Sequence, residues 1–289
     1  MNDINSLTPI EKTKEIILLS KTNSLSNLLK IYKMSRSLFY YHKKKLNEDK
    51  YARTKLLIEY IFNSSKGRYG YRRIKYALMK KFNIQIAYKT VRKLMKELGL
   101  VCQVRRPTTH YATRVPKKVV NIINRDFSSP EPNYKWVTDV TEFRIAKQRL
   151  YLSVIKDLYN MEIVGYSISR HNDWKLVLNS LEKCSNEINL ENVILHSDQG
   201  VIYQTKNYKD YLNEHNFIQS MSRKGNCYDN APAESFFGTL KCETIYLNHV
   251  HNIDELIKTI SEYIVWYNNE RISIKLGGYS PVEYRNRLN

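Results

Sequence analysis

Apolar residues recur at helical spacing along the first fifty residues. Pro9 is placed in a first helical turn, and the run IEKTKEIILLS follows it. Ser24 and Ser35 are placed to cap two further helices, LSNLLKIYK and RSLFYYHKKKL. Two helices joined by a short turn, the second basic and aromatic, are typical of a helix-turn-helix. Residues 1–50 are therefore predicted to form a helix-turn-helix-like region, and a helix pair that only packs or dimerises is the alternative.

A second helical region is predicted over residues 51–105. The helix RTKLLIEYIFNSS precedes the segment KGRYGYRR (66–73), whose two glycines permit a tight turn. Two helices then follow, IKYALMKKF and VRKLMKELGL, the latter opened by Thr90 and ended by Gly99. Residues 106–132 contain four prolines and little helical periodicity. This stretch is predicted to be a basic linker.

From residue 133 the pattern changes to that of strands. KWVTDVTEFRI, RLYLSVIKDLY and EIVGYSIS are β-branched and aromatic runs with short breaks, which predicts a three-stranded antiparallel meander. A helix (WKLVLNSLEKCSNEI), an apolar strand (NVILHS), a helix (NYKDYLNEHN), a short strand (FIQSMS) and a helix beginning near Asn230 or Ala231 follow. This order predicts an α/β domain with a mixed five-stranded sheet over residues 133–245. Residues 246–289 are predicted to be a helical extension.

Charge divides the chain into two unequal parts. Residues 1–130 hold 29 basic and 8 acidic residues, a net charge of +21, whereas residues 131–289 hold 18 and 20, a net charge of −2. A field of this strength attracts a polyanion and favours nucleic acid over an acidic small ligand. No apolar run approaches the roughly 20 residues that span a bilayer, so a cytoplasmic, nucleoid-associated protein without a membrane partner is expected.

Three carboxylates occupy positions where an ionised carboxylate costs stability. Asp139 lies inside the first predicted strand, Asp198 directly follows the apolar strand NVILHS, and Glu234 lies in the apolar helix PAESFFGTL. If the first and fourth strands are neighbours, Asp139 and Asp198 lie side by side and raise each other's pKa. A divalent cation would compensate, and carboxylate ligands without His or Cys select Mg²⁺ or Mn²⁺.

Long motifs surround these carboxylates. WVTDVTEF (136–143), HSDQG (196–200) and SRKGNCYDNAPAESFF (222–237) resemble the catalytic core of bacterial insertion-sequence transposases, relatives of retroviral integrases. Between Asp198 and Glu234 lie 35 residues, which matches the spacing of that family's Asp-Asp-Glu triad. The resemblance extends to KGRYGYRR upstream and to YNNER (267–271) and LGGYSPVEY (276–284) downstream. In the latter region Ser273 stands where many members have His, so no role is assigned to that position.

The resemblance implies an α/β fold: a ribonuclease H-like catalytic core preceded by an all-α helix-turn-helix DNA-binding region. It further implies DNA strand cleavage and strand transfer by two metal ions, with Asp139, Asp198 and Glu234 as both the catalytic residues and the metal ligands. The partners implied are the DNA of transposon ends and target, a homo-oligomer assembled on DNA, and a protein from an upstream reading frame. Lys241, two helical turns after Glu234, is expected to contact a terminal phosphate.

Further DNA contacts are predicted at basic residues outside the triad. These residues are Arg36, Lys43, Arg72, Arg73, Arg105, Arg106, Arg223 and Lys224.

His196, on the face of Asp198, is interpreted as a hydrogen-bonded structural residue in preference to a catalytic one. A ribonuclease H-type nuclease would need a fourth core carboxylate, from Asp157 or Glu162, and a non-catalytic DNA-binding regulator descended from a transposase is the other alternative.

Overall fold

The computed structural model describes residues 7–47, 49–104, 119–145, 148–185, 192–223, 226–247 and 250–287. The chain divides into two compact units, Met1–Tyr60 and Ile61–Asn289. No helix among the described residues is long and apolar enough to cross a membrane.

The first unit contains three helices around a small apolar core. They are α1 (Pro9–Leu19), α2 (Leu25–Ile31) and α3 (Arg36–Asn47). Pro9 opens α1, as predicted, behind a capping box made by Thr8 and Glu11. The Ser35 hydroxyl accepts a hydrogen bond from the Leu38 amide at 3.2 Å and so caps α3, whereas Ser24 occupies the N-cap of α2 without a side-chain bond. The helices meet at buried Ile16, Leu28, Leu29, Tyr32, Met34 and Phe39.

Three further helices follow: α4 (Ala52–Ser64), α5 (Tyr71–Phe82) and α6 (Tyr88–Glu97). The α6 helix begins two residues before the predicted Thr90, because Tyr88 extends the first turn, where its ring contacts that of Tyr71 on α5. Gly67 and Gly99 have φ of +72° and +67°, the left-handed conformation that glycine adopts without strain. Apolar positions at helical spacing build the core of this region, where Ile74, Leu78, Val91 and Leu94 are buried and Leu98 is partly buried.

The second unit is built on a mixed five-stranded sheet, as predicted. The strands run in the order β3-β2-β1-β4-β5. The pairs β1–β2 and β2–β3 are antiparallel, and the pairs β1–β4 and β4–β5 are parallel. The central strand is thus the first in sequence, beside the fourth. The strands are β1 (Lys135–Ile145), β2 (Gln148–Asp157), β3 (Ile163–Ser169), β4 (Ile194–Ser197) and β5 (Ile218–Met221).

Helices cover both faces of this sheet. The alternation along β2 sends Leu150, Leu152 and Val154 to one face, where Phe236 and Leu240 pack on them. The opposite face carries a second core, which includes Trp136, Ile155, Leu181, Leu212 and Met221. Helices α7 (Trp174–Ser185) and α8 (Lys206–Glu214) contribute to this second core, whereas α9 (Ala231–Glu243) and α10 (Ile253–Asn269) cover the first face. A short helix, α11 (Pro281–Asn286), follows α10.

Candidate active site

Two central parallel strands place the first two carboxylates. In the β1–β4 register, Trp136 pairs with Leu195 and Val137 with His196. Continuing that register by two residues sets Asp139 opposite Asp198. The sequence prediction that the first and fourth strands are neighbours is therefore confirmed, and both side chains lie where β4 ends.

The α9 helix brings the third carboxylate to the same end of the sheet. A 3₁₀ turn (Cys227–Asn230) leads into α9, where Pro232 occupies the first turn. The side-chain amide of Asn230 donates a hydrogen bond to the backbone carbonyl of Thr138 at 3.2 Å. This bond ties the start of α9 to β1 next to Asp139. Glu234 follows within the first turn of α9. The predicted helix start near Asn230 or Ala231 is confirmed.

Burial and mutual repulsion raise the pKa values of the three carboxyl groups. Burial, together with the charges of Asp198 and Glu234, raises the pKa of Asp139 to about 8. Burial also raises the pKa of Asp198, and burial and the charge of Asp198 raise that of Glu234. Asp139 senses the charges of both other groups, and Glu234 senses that of Asp198, so the three form one electrostatic cluster that disfavours ionisation.

Backbone amides hold two of these carboxylates in place. One oxygen of Asp139 accepts the Val140 amide at 2.8 Å, and one oxygen of Asp198 accepts the Gly200 amide at 2.8 Å. A Cβ at Gly200 would lie 2.8 Å from the Asp198 carboxylate, so glycine keeps that approach open. These bonds fix each carboxylate at the end of its strand.

The donor set suits a hard divalent cation. It consists of carboxylate oxygens at the end of the sheet, the ligands that Mg²⁺ and Mn²⁺ prefer. Within the described part of the chain, no three or more His, Cys, Asp or Glu side chains are grouped as the ligands of one ion. The charges of Asp198 and Glu234 nonetheless both contribute to the raised pKa of Asp139, so the three side chains lie in one neighbourhood. Side-chain rotation would have to close the site around an ion.

Lys241 lies seven residues after Glu234 on the same helix. Its ammonium group donates a hydrogen bond to the Thr141 hydroxyl at 2.8 Å and lies 5.1 Å from the centre of the Phe143 ring. Burial lowers the pKa of Lys241, and the charge of Asp139 opposes that shift. Lys241 therefore places a partly buried positive charge beside Asp139 on β1.

His196 is fully buried, and each of its ring nitrogens lies within hydrogen-bond distance of a serine hydroxyl. Its Nδ1 lies 2.8 Å from the Ser220 hydroxyl and its Nε2 lies 3.1 Å from that of Ser222. Burial lowers the pKa of His196 to about 4, so the ring is neutral at neutral pH. Both ring nitrogens are engaged with β5 and its end, which supports the structural interpretation of this residue.

Arg223, predicted to contact DNA, pairs within the chain with a buried carboxylate in the loop before α9. Its Nε donates to Asp229 Oδ2 and its NH2 to Oδ1, both at 2.8 Å. Arg125 and Asn121 bind the same carboxylate at 2.8 and 3.0 Å. These bonds hold the pKa of Asp229 well below its usual range. The group ties the loop to residues 121–125, and the Arg223 side chain is still half exposed.

The other predicted DNA-binding residues have different surroundings. Arg72 is exposed, whereas the Arg73 guanidinium lies 3.2 Å from the buried Glu243 carboxylate. Arg36 is exposed, and Lys43 lies 5.8 Å from the centre of the Phe39 ring. Arg73 thus has a partner within the chain. Arg105, Arg106 and Lys224 lie outside the described residues.

The two carboxylates considered for a fourth core position are both engaged by Arg285. Its NH2 lies 2.7 Å from Asp157 and its NH1 lies 3.2 Å from Glu162. Asp157 also accepts the Asn133 amide at 2.9 Å. Neither carboxylate is among the charges that shift the pKa of Asp139.

Sequence reasoning missed Tyr203 and Asp229. Tyr203 lies buried under the carboxylates, since burial and then the charge of Asp139 raise its pKa well above the usual value. Tyr203 lies in a 3₁₀ turn, Ile202–Gln204, and its position three residues after the HSDQG motif is the one sequence signal that pointed to the site. Asp229 has a local partner in Arg223, but its bond with Arg125, 104 residues away in the sequence, could not be read from local pattern.

Comparison with known protein families assigns most of the chain. Residues 129–227 match an integrase core domain, residues 234–288 match a second integrase core model, and residues 48–108 match an HTH-like domain. With the mixed sheet, these matches confirm an integrase-type, ribonuclease H-like core preceded by a helical region.

Full-length relatives agree. The chain is 45% identical over 266 residues to the putative transposase InsK for insertion sequence element IS150 of Escherichia coli, covering 91% of this chain and 94% of that protein. It is 35% identical over 234 residues to the transposase InsF for insertion sequence IS3A of the same species, covering 78% of this chain and 80% of InsF. The HTLV-2 integrase catalytic core solved with magnesium is 14% identical, with a TM-score of 0.45 over 54% of this chain and 98% of that one.

The transposase relatives and the integrase core match define an enzyme class, the polynucleotidyl transferases that move DNA segments. The chain belongs to the family of insertion-sequence transposases with an integrase core domain.

Proposed function

We propose that this transposase cleaves and joins DNA strands at Asp139, Asp198 and Glu234, with Mg²⁺ or Mn²⁺, two ions in the full site, as the cofactor. The observation that carries the proposal is the convergence of three carboxylates, from β1, β4 and α9, in one cluster with a pKa of about 8 for Asp139. Such a cluster is unfavourable in a protein unless a positive ligand completes it.

Each carboxylate has a distinct part in this scheme. Asp139 and Asp198, on neighbouring strands, would hold a cation jointly, and Glu234 would hold the second with one of them. When bound, the ions supply activation of a water or 3′-hydroxyl nucleophile and stabilisation of the leaving oxygen. Lys241, held on Thr141, would contact a phosphate of the DNA end and orient it toward Asp139.

The proposed substrate and main partner is DNA, both the ends of the element and its target. The HTH-like match over residues 48–108 and the +21 charge of residues 1–130 support a DNA-gripping role for the first part of the chain. A homo-oligomer that joins two DNA ends and a protein from an upstream reading frame are further proposed partners.

One observation disfavours the ribonuclease H-type alternative. Asp157 and Glu162 are both bound by Arg285, so neither supplies a fourth core carboxylate to the cluster. A non-catalytic regulator would have no use for a buried acidic cluster that lowers the stability of the fold.

A strand-transfer assay with parallel DNA binding tests the proposal. Asp139→Asn, Asp198→Asn and Glu234→Gln should each abolish cleavage and joining with Mg²⁺ or Mn²⁺, while DNA affinity measured by fluorescence anisotropy stays close to that of the wild type. Glu262→Gln, an exposed carboxylate on α10, is the matched control and should remain active. Near-normal strand transfer by any of the three triad variants contradicts the assignment, and cleavage of RNA–DNA hybrids without joining favours the nuclease.

A further inference from the structure

Lys156 occupies a position on β2 where the strand pattern calls for an apolar side chain. Leu150, Leu152 and Val154 point to the face covered by α9 and α10, and alternation places Lys156 next in that row. The side chain is only 5% exposed. The pairing of β2 with β1 continues in register through Lys156, whereas the register with β3 shifts between Ile155 and Lys156.

This buried ammonium group has no acidic partner among the described residues. It donates one hydrogen bond to the Pro232 carbonyl at 3.1 Å and lies 5.8 Å from the centre of the Phe236 ring. Burial and then the charge of Arg271 lower the pKa of Lys156 to about 7. A buried lysine without a counter-ion is costly, so an anion from outside the chain is the natural complement.

Lys156 faces a cavity of about 380 Å³ that contains a second lysine. Lys275 lines this cavity, and burial and the charge of Lys156 lower its pKa, so the two ammonium groups sense each other. Arg271 also lines it, but Glu243 already binds that guanidinium at 2.8 Å. The remaining polar lining consists of hydroxyls. Those of Ser235, Ser273 and Thr239 can turn toward an oxyanion, although Thr239 donates to the Ser235 carbonyl at 2.8 Å in this structure. The Tyr267 hydroxyl donates to the Met161 carbonyl at 3.1 Å.

The cavity lies on the flank of the helix that carries Glu234. Ser235 and Thr239 of α9 line it and also line a groove of about 930 Å³, whose walls include Glu234 and the exposed Arg72. A strand lying in the groove would pass Glu234 and present backbone phosphates toward the cavity. Two lysines and three hydroxyls, with apolar walls at Phe127 and Met161, suit one phosphate group of that strand.

We propose that Lys156 and Lys275, assisted by the hydroxyls of Ser235, Thr239 and Ser273, bind a phosphate of the DNA backbone beside the catalytic helix. The identification of the phosphate as one of DNA rests on the proposed function, whereas the pocket's selectivity for a phosphate anion does not.

The salt dependence of DNA binding tests the proposal. Lys156→Met and Lys275→Met would be compared with the wild type for binding of a labelled DNA duplex of arbitrary sequence. EDTA is present, so that no metal bound by the three carboxylates contributes to DNA binding. Each lost phosphate contact lowers the slope of log affinity against log salt by about 0.9. Lys258→Met, which removes an exposed lysine of α10, is the matched control and should keep the wild-type slope. Lys156→Met is expected to fold, since it restores the apolar row of β2.

A second arm separates DNA from free phosphate. Thermal unfolding in sodium phosphate and in sodium chloride of equal ionic strength should show an extra rise in Tm for the wild type that both variants lack. If phosphate protects only the wild type but the salt slopes do not change, the pocket binds a free anion and the DNA assignment is wrong. Unchanged slopes together with equal protection of wild type and variants overturn the proposal. Because binding in EDTA does not depend on the triad, this result is independent of the strand-transfer test.

Discussion

The two ends of α9 carry carboxylates that the protein treats in opposite ways. Near its start, Glu234 shares the charge cluster of Asp139 and Asp198, and burial raises all three pKa values. At its end, Glu243 is 1% exposed and surrounded by cations.

The Glu243 cluster is neutralised completely within the chain. Arg271 donates two hydrogen bonds of 2.8 Å to it, Arg73 one of 3.2 Å, and the Tyr263 hydroxyl one of 2.9 Å. Although burial raises the pKa of Glu243, the bonds and charge of Arg271 hold it below the usual value. The cluster joins α5, α9 and the end of α10, so its role is to fasten the HTH-like segment to the core.

The two carboxylates differ in whether the chain itself supplies an ion-pair partner. Charged side chains with such a partner stabilise the fold, whereas those without one are expected to bind a ligand. Glu243 and Asp229 have arginine partners and lowered pKa values. Asp139 and Lys156 have no ion-pair partner among the described residues, and their pKa values are shifted toward the neutral form. A buried charge of the second kind reduces stability and is retained for function.

Removing a triad carboxylate should have the largest effect and opposite signs for activity and stability. Asp139→Asn should lower strand transfer by about a thousand-fold or more, because several kcal/mol of transition-state stabilisation is lost. In metal-free buffer at pH 8 the same variant should unfold at higher urea, with a gain of about 1 kcal/mol, because a disfavoured charge is removed. Strand-transfer assays and urea unfolding measure the two quantities. If Asp139→Asn lowered both activity and stability, Asp139 would be a stabilising carboxylate like Glu243.

Removing the charge of Glu243 should destabilise the protein strongly. Glu243→Gln leaves Arg271 buried without its counter-ion, so the free energy of unfolding should fall by about 3–5 kcal/mol. Chemical denaturation measures this change. Glu262→Gln, which breaks only an exposed pair with Lys258, should cost at most about 0.5 kcal/mol. Similar losses for the two variants would remove the distinction between the clusters.

Asp229 is expected to act as a positioning residue for Glu234. Asp229→Asn weakens the bonds to Arg223 and Arg125, so the loop before α9 loosens and Glu234 shifts. A misplacement of this kind should lower kcat by roughly a hundred-fold and leave KM for DNA nearly unchanged. Single-turnover and steady-state assays separate the two constants. A rise in KM without a fall in kcat would instead assign Arg223 to DNA binding.

Lys156 should give the unfolding free energy a distinct pH dependence. Its pKa is about 7 in the folded chain and near 10.5 in the unfolded chain. The unfolded chain therefore binds more protons between about pH 7 and pH 10.5, and stability should rise with pH across that window. Compared with Lys156→Met, the wild type should recover about 1–3 kcal/mol from pH 7 to pH 10. Parallel curves for the two proteins would show that the charge of Lys156 is compensated within the chain.

Much of the catalytic core could be predicted from local pattern. The β-branched runs and the apolar strand NVILHS predicted a mixed sheet, and Asp139, Asp198 and Glu234 stood out because each interrupts an apolar segment. Contacts distant in sequence could not be predicted. The ion pair of Arg73 is one of these, because its partner Glu243 lies 170 residues away. The pair of Arg223 with Asp229 depends on how the loop before α9 folds back on itself.

The central claim is that the triad carboxylates hold the cations used in strand transfer. Replacing the carboxylate of Asp139 by a thiolate tests this claim most directly. A thiolate at the position of Asp139 binds Mg²⁺ poorly and accepts softer ions better. The account predicts that Asp139→Cys is inactive with Mg²⁺ and regains part of its strand-transfer activity with Mn²⁺, whereas Asp139→Asn is inactive with both. Equal activity of Asp139→Cys with the two ions would contradict a direct contact between Asp139 and the metal.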